Sequence, residues 1–280
     1  SLTLTMFGGG GFGGGMPGML MQGMGMGGGG RRRQGGVNPW FIMMAIQLWQ
    51  QIDKMPHKPP ITLGIMAACA ALHFGVLGEL GELLVPSASA ACLSARMVLE
   101  RSQWLRIFTA PLLHHDEMHL IYNMSSFLWK GAQLEMKLGG EKYVKLLLGL
   151  LVATQVTAVA AMWVAAHWLG YPEPYYQSCT MGSSGLLFAL KAILLTDEPA
   201  VSSIWGISIP SKWASWAELG LVYLLNPSFA GLIVHVSGIM VGLAYIRREF
   251  ILKTLTGGLF GGGGGARPAS RQQPQQPRNA

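Results

Sequence analysis

The chain is short of charge. Asp, Glu, Lys and Arg make up 12% of its 280 residues, against about 25% in ordinary soluble domains. A soluble body of 30.1 kDa needs more surface charge than this, which sets aside a plain soluble globular enzyme. Cysteine is scarce too: three residues are too few for a disulfide-stapled scaffold. The 39 glycines follow no Gly-X-Y period, so a collagen is excluded. A basic body is also missing. The net charge is +7, but Arg31, Arg32 and Arg33 near the start and Arg267, Arg271 and Arg278 near the end carry all but one unit of it. A nearly neutral middle gives no footprint for nucleic acid. Basic flanks on an apolar body, with mean hydropathy +0.36, fit a membrane protein whose ends face the cytosol.

Three regions are expected. Residues 1–37 are rich in Gly and Met and bury too little to offset their ordering entropy, so a disordered head is expected. No signal peptide is read there, because no uninterrupted apolar stretch follows a charged start, and the segment lacks the Arg- and Ser-rich amphipathic character of a transit peptide. Residues 256–280 run from Gly-rich to Gln-, Pro- and Arg-rich and read as a second flexible tail. Residues 38–255 form the membrane domain.

Within that domain, Trp40–Ile52 is amphipathic and, at about 13 residues, suits an interfacial helix better than a span. Pro56, Pro59 and Pro60 end it. Ile61–Leu84 reads as the first span, with Glu79 and Glu82 at the interface. A long loop follows, from Val85 to about Leu113. Met118–Leu138 and Tyr143–Leu169 are the second and third spans, and Pro172–Pro174 lie in the next loop. Ser184–Thr196 and Trp213–Leu225 are short, and Phe229–Ile246 is the last span, followed by Arg247 and Arg248. The expected fold is all-α, a polytopic protein of six transmembrane helices. Lys137, Lys142 and Lys145 flank the second-to-third turn and Lys212 precedes the fifth span, while Gly170–Met181 and Asn226–Ser228 hold no Lys or Arg. Both termini are then cytosolic. Arg96, Arg101 and Arg106 depart from the rule in the first luminal loop, which is long enough to fold.

Polar side chains at membrane depth are expensive and by default propose a site. Three groups occur. His115, His119 and Asn123 share a helix face at i, i+4 spacing, with His114 just before them. Gly182-Ser183-Ser184-Gly185 exposes a hydroxyl and a backbone N–H between glycines. His235 stands alone in its span, but Gly238 and Gly242 follow on its face as a small-residue stripe that lets another helix pack very close. The Gly-Ser motif alone, or a lone mid-span His, is more often packing, whereas the His cluster by itself already favours a site; together they suit a Ser–His hydrogen bond across two helices.

Taken in order, Trp104-x-Arg106, His114-x4-His119-x3-Asn123, Gly182-x-Ser184-Gly185 and His235-x2-Gly238-x3-Gly242 resemble the rhomboid intramembrane serine proteases over about residues 38–250. Leu113-His114-His115-Asp116, Trp129-Lys130-Gly131 and Ser184–Lys191 are most similar to the endoplasmic-reticulum subgroup typified by rhomboid-related protein four. The resemblance implies a rhomboid fold and a multi-pass protein of the endoplasmic reticulum that cleaves transmembrane segments, with a role in protein quality control. It makes Ser184 the nucleophile and His235 the general base, with no cofactor and no metal. His114 and Asn123 would join the Ser184 N–H in holding the oxyanion. His119 is supporting, Trp104 and Arg106 are structural, and Glu135 would pair with a loop base. Phe188 stands where the family often carries a Tyr that stacks on the histidine.

No Asp or Glu lies near His235 in sequence, and none is read mid-span, which argues for a dyad and against an ion-coupled transporter. His115-Asp116-Glu117-Met118-His119 misplaces the Glu for a zincin. A catalytically silent rhomboid-like binding factor in ER-associated degradation is the alternative; such relatives lack the serine or the histidine. Cys92 and Cys179 both fall in luminal loops, where an oxidising lumen lets them pair, and Cys69 is read as packing. In the tail, Phe260-Gly261-Gly262-Gly263-Gly264 resembles a short motif that binds the p97 ATPase, although a glycine run after one Phe explains it as well.

Overall fold

A computed structural model describes residues 39–85, 87–195, 201–204 and 207–260. The expected head lies outside these residues. The described chain is helical apart from one small ribbon. Helix α1 is Pro39–Lys54, α2 Pro60–His73 and α3 Gly78–Leu84. Short helices α4 (Ala88–Ala91), α5 (Ala95–Arg101) and α6 (Arg106–Thr109) follow, then a 3₁₀ turn at Ala110–Leu112. The long helices α7 (Glu117–Leu138) and α8 (Gly140–His167) come next, then the single turn α9 (Glu173–Tyr176) and α10 (Ser184–Leu194). Strands β1 (Val201–Ile204) and β2 (Ile207–Pro210) pair antiparallel, with Val201 opposite Pro210, and lead into α11 (Ser211–Leu225) and α12 (Phe229–Phe260).

Two helices are long and apolar enough to cross a membrane: Gly140–His167 and the Phe229–Arg248 part of α12. Only 39% and 33% of their apolar windows are buried inside the chain. The rest of that apolar surface, with Leu148, Val156 and Met240 about half exposed, calls for a hydrocarbon solvent. Met66, Leu120, Phe127, Leu147 and Leu190 close a core between α2, α7, α8 and α10, and a second core joins Val98 and Ile107 of the first loop to Met162 and Val234.

Several expectations are corrected. The first apolar stretch is not one helix: α2 stops at His73, and Gly75 (φ 65°) and Gly78 (φ 51°) turn the chain before α3. Left-handed backbone at two glycines ends a helix that hydropathy alone would continue. The first loop is folded, as its length allowed, into three short helices, whereas Pro172–Pro174 open the turn α9 rather than a loop. The ribbon at 201–210 was not expected. The last helix continues past Ile246 to Phe260, so residues 256–260 of the expected tail are helical.

Glu135 does not pair with a loop base. Its carboxylate accepts the backbone N–H groups of Ile61 at 2.9 Å and Thr62 at 2.8 Å, and the Thr62 hydroxyl at 2.7 Å. It thus caps α2 from a neighbouring helix, where orphan N–H groups and the helix dipole both favour an anion. Tyr143 Oη lies 3.2 Å from the same Thr62 hydroxyl. Glu135→Ala removes the carboxylate that accepts all three of these hydrogen bonds in a buried site, so we expect a loss of about 3–5 kcal/mol, read from SDS-titrated unfolding against wild type.

Candidate active site

Ser184 is the first residue of α10, so its N–H has no carbonyl a turn earlier to bond with. Its Oγ lies 2.8 Å from Nε2 of His235, on α12, 51 positions away. Both side chains are partly buried. Three glycines make this contact possible. A Cβ on Gly238 would sit 2.0 Å from the Gly185 carbonyl oxygen; one on Gly185 would meet Val234 Cγ1 at 2.8 Å; one on Gly242 would meet the Ala189 carbonyl oxygen at 2.5 Å. The two helices therefore touch backbone to backbone along the stripe. Phe188, one turn after Ser184, sets its ring 4.9 Å from the His235 ring, tilted by 39°. That contact orients an imidazole to which no carboxylate is hydrogen-bonded among the described residues.

Gly182 adopts φ +114°, open essentially to glycine alone. A Cβ there would strike the His119 ring at 2.8 Å and lie 3.7 Å from Asn123 Nδ2. His119 thus packs on the backbone two residues ahead of Ser184, with Asn123 beside it. Asp116 accepts the His119 N–H at 2.7 Å and caps α7. Asn123 donates one amide hydrogen to the His119 carbonyl at 3.0 Å, leaving its second donor available. The His114 ring stands edge-on to His119 at 5.1 Å, is buried, and has no well-formed hydrogen bond at either nitrogen. Buried unpaired donors beside a serine suit a group that is bonded only when another molecule is present. His115 is exposed and stacks on His119 at 5.8 Å.

The rim is tied to the first loop. Cys92 and Cys179 form a disulfide with Cα atoms 5.4 Å apart. Leu93 and Thr180 exchange backbone hydrogen bonds of 2.8 and 3.0 Å, and the Gly182 N–H donates to the Ala110 carbonyl at 3.0 Å. Arg106, 8% exposed, anchors the loop end: Nη1 donates to the Ser89 and Cys92 carbonyls at 2.9 and 2.8 Å, and Nε to Gln103 at 2.7 Å. Burial pulls its guanidinium below its ordinary value. Trp104, 52% exposed, takes no part in this anchor.

One cluster escaped the sequence reading. Glu218 of α11 bonds to Lys191 of α10 and lies 3.5 Å from Lys130 of α7. Lys130 is 4% exposed and also donates to Ser126. The sequence reading counted no acid within the expected spans, yet Glu218 stands inside the expected fifth one, Trp213–Leu225. Its signal was one acid inside the apolar segment Ala217-Glu218-Leu219, facing two lysines noted only for their resemblance. The Phe260 motif gains nothing here: Phe260 closes α12, and residues 261–264 lie outside the described residues.

A family model for the rhomboid domain matches residues 101–252, so the chain belongs to the rhomboid family. Among curated relatives it is 33% identical over 233 residues to rhomboid-related protein 4 of Homo sapiens, covering 81% of this chain and 70% of that protein. It is 30% identical over 218 residues to "Rhomboid-like protein 14, mitochondrial" of Arabidopsis thaliana, covering 78% and 64%. It is also 30% identical over 190 residues to rhomboid protease GlpG of Yersinia pestis (strain Pestoides F), covering 66% and 60%. The chain thus spans about two thirds of the length of these relatives.

Proposed function

We propose that this chain is an intramembrane serine endopeptidase that cuts transmembrane segments of other membrane proteins. The observation that carries the reading is the 2.8 Å contact between Ser184 Oγ and His235 Nε2. Ser184 Oγ attacks the scissile carbonyl carbon as its proton passes to Nε2. The tetrahedral oxyanion is held by the Ser184 N–H, the Asn123 amide and the His114 ring. The imidazolium then protonates the leaving amide nitrogen, and an ester to Ser184 forms. Water, deprotonated by His235, hydrolyses that ester. The start of α10 beside the polar side chains of α7 supports a wet cavity at membrane depth.

In this reading the domain is residues 38–255 and has six spans, carried by α2 with α3, α7, α8, α10, α11 and α12, with both termini cytosolic. The rim disulfide and the first loop then face the same oxidising lumen. This favours the endoplasmic reticulum, although one relative's printed name carries a mitochondrial label. The silent binding-factor alternative has no observation in its favour, because both the serine and the histidine are present and in contact.

The test is co-expression with a model single-span substrate, combined with a fluorophosphonate probe on the purified protein. We expect a discrete cleavage fragment and a covalent adduct mapped to Ser184. A well-folded chain that gives neither would assign it to the silent class.

A further inference from the structure

Away from Ser184, a cavity of about 370 Å³ opens between the end of α10, the start of α11 and the lower half of α12. Its size falls within the roughly 300–1,000 Å³ of small-ligand sites. Leu195, Ile239 and Leu243 give it apolar walls, with Trp216 at the edge. Two polar groups face it. Ser215 is 2% exposed, lines the cavity, and its Oγ has no hydrogen-bond partner among the described residues. Arg247 also lines the cavity, is exposed, and has no ion pair among the described residues. Leu195 lies 11 positions after Ser184 in sequence, about 16 Å along the α10 direction, so this cavity is not part of the candidate active site.

We propose that the cavity binds an anionic phospholipid from the bilayer. One acyl chain lies between the apolar walls, the phosphate rests on Arg247, and the Ser215 hydroxyl donates to an ester carbonyl. The charge argues for this occupant: a basic pocket between transmembrane helices at the cytosolic end matches an anionic headgroup. The packing argues for it too. On α11 the buried described side chains are Ala214, Ser215 and Leu219, and a chain in the cavity fills the gap between this thinly seated helix and its neighbours.

The experiment uses the full chain, purified and delipidated in detergent, with native mass spectrometry after adding phosphatidylglycerol, phosphatidylcholine or inorganic phosphate. Wild type is expected to retain one phosphatidylglycerol in preference to phosphatidylcholine. Arg247→Gln should lower phosphatidylglycerol retention roughly fivefold, the effect of one basic contact, and Arg247→Lys should restore it. Ser215→Leu, which fills the cavity, should lower retention of both lipids. Thermal melts of each variant establish that the fold is intact, and the readout is independent of proteolysis. Equal retention by wild type, Arg247→Gln and Ser215→Leu would overturn the proposal. Protection by inorganic phosphate as strong as by phosphatidylglycerol would overturn it as well.

Discussion

Ser184→Ala and His235→Ala are each expected to lower cleavage of a single-span substrate by about 10⁴-fold or more, with the melting temperature close to that of wild type. In the proposed mechanism the hydroxyl is the nucleophile, and it is Ser184 Oγ that lies 2.8 Å from His235 Nε2. In the same mechanism the imidazole is the base, and among the described residues no carboxylate is hydrogen-bonded to it. The double variant should be no worse than either single one, because both remove one step rather than two independent ones. Equal fragment from wild type and both variants would refute the dyad. A large drop in melting temperature would make the activity loss a folding defect.

Gly238→Ala should also be damaging, to a smaller extent and for a different reason. The added methyl would lie 2.0 Å from the Gly185 carbonyl oxygen and 3.2 Å from Phe188 Cβ. The first obstacle is backbone in the facing helix, which has no rotamer to give. Relief requires α10 and α12 to part by more than an ångström, and a 2.8 Å hydrogen bond does not survive that. A misplacement of about 1 Å costs on the order of 10²-fold in rate, and the lost packing should lower thermal stability as well. Gly149→Ala is the control: its Cβ would meet nothing within 4 Å, and both activity and stability should stay near wild type. An unchanged rate for Gly238→Ala would mean that the backbone contact is not what holds the two side chains together.

Much of this site was legible in the sequence because its demands are local. Ser184 between glycines, and His235 with Gly238 and Gly242 at helical spacing, carry their signal within a few positions. The second loop cysteine, five positions before Ser184 in sequence, placed the rim bond near the site. What was not legible depends on partners far along the chain. Glu135 reads as the partner of a loop base until α2 is seen resting on it. Glu218 reads as an accident in an apolar segment until Lys130 and Lys191 are brought to it from two other helices. Hydropathy likewise merged α2 with α3, because a window average cannot register two glycines in left-handed backbone. The length of α12 was missed for the converse reason: glycines after Leu255 look like a tail, yet the helix continues through them.

The carboxylate under α2 also constrains biogenesis. Thr62 and its acceptor are 73 positions apart, so the first turn of α2 leaves the ribosome long before the anion that completes it. Until then its N–H groups have no acceptor, and afterwards the acid would sit uncompensated at depth if α2 were absent. The first turn of α2 is thereby left unfinished until α7 has been made, so folding of this part of the chain waits on a residue 73 positions downstream.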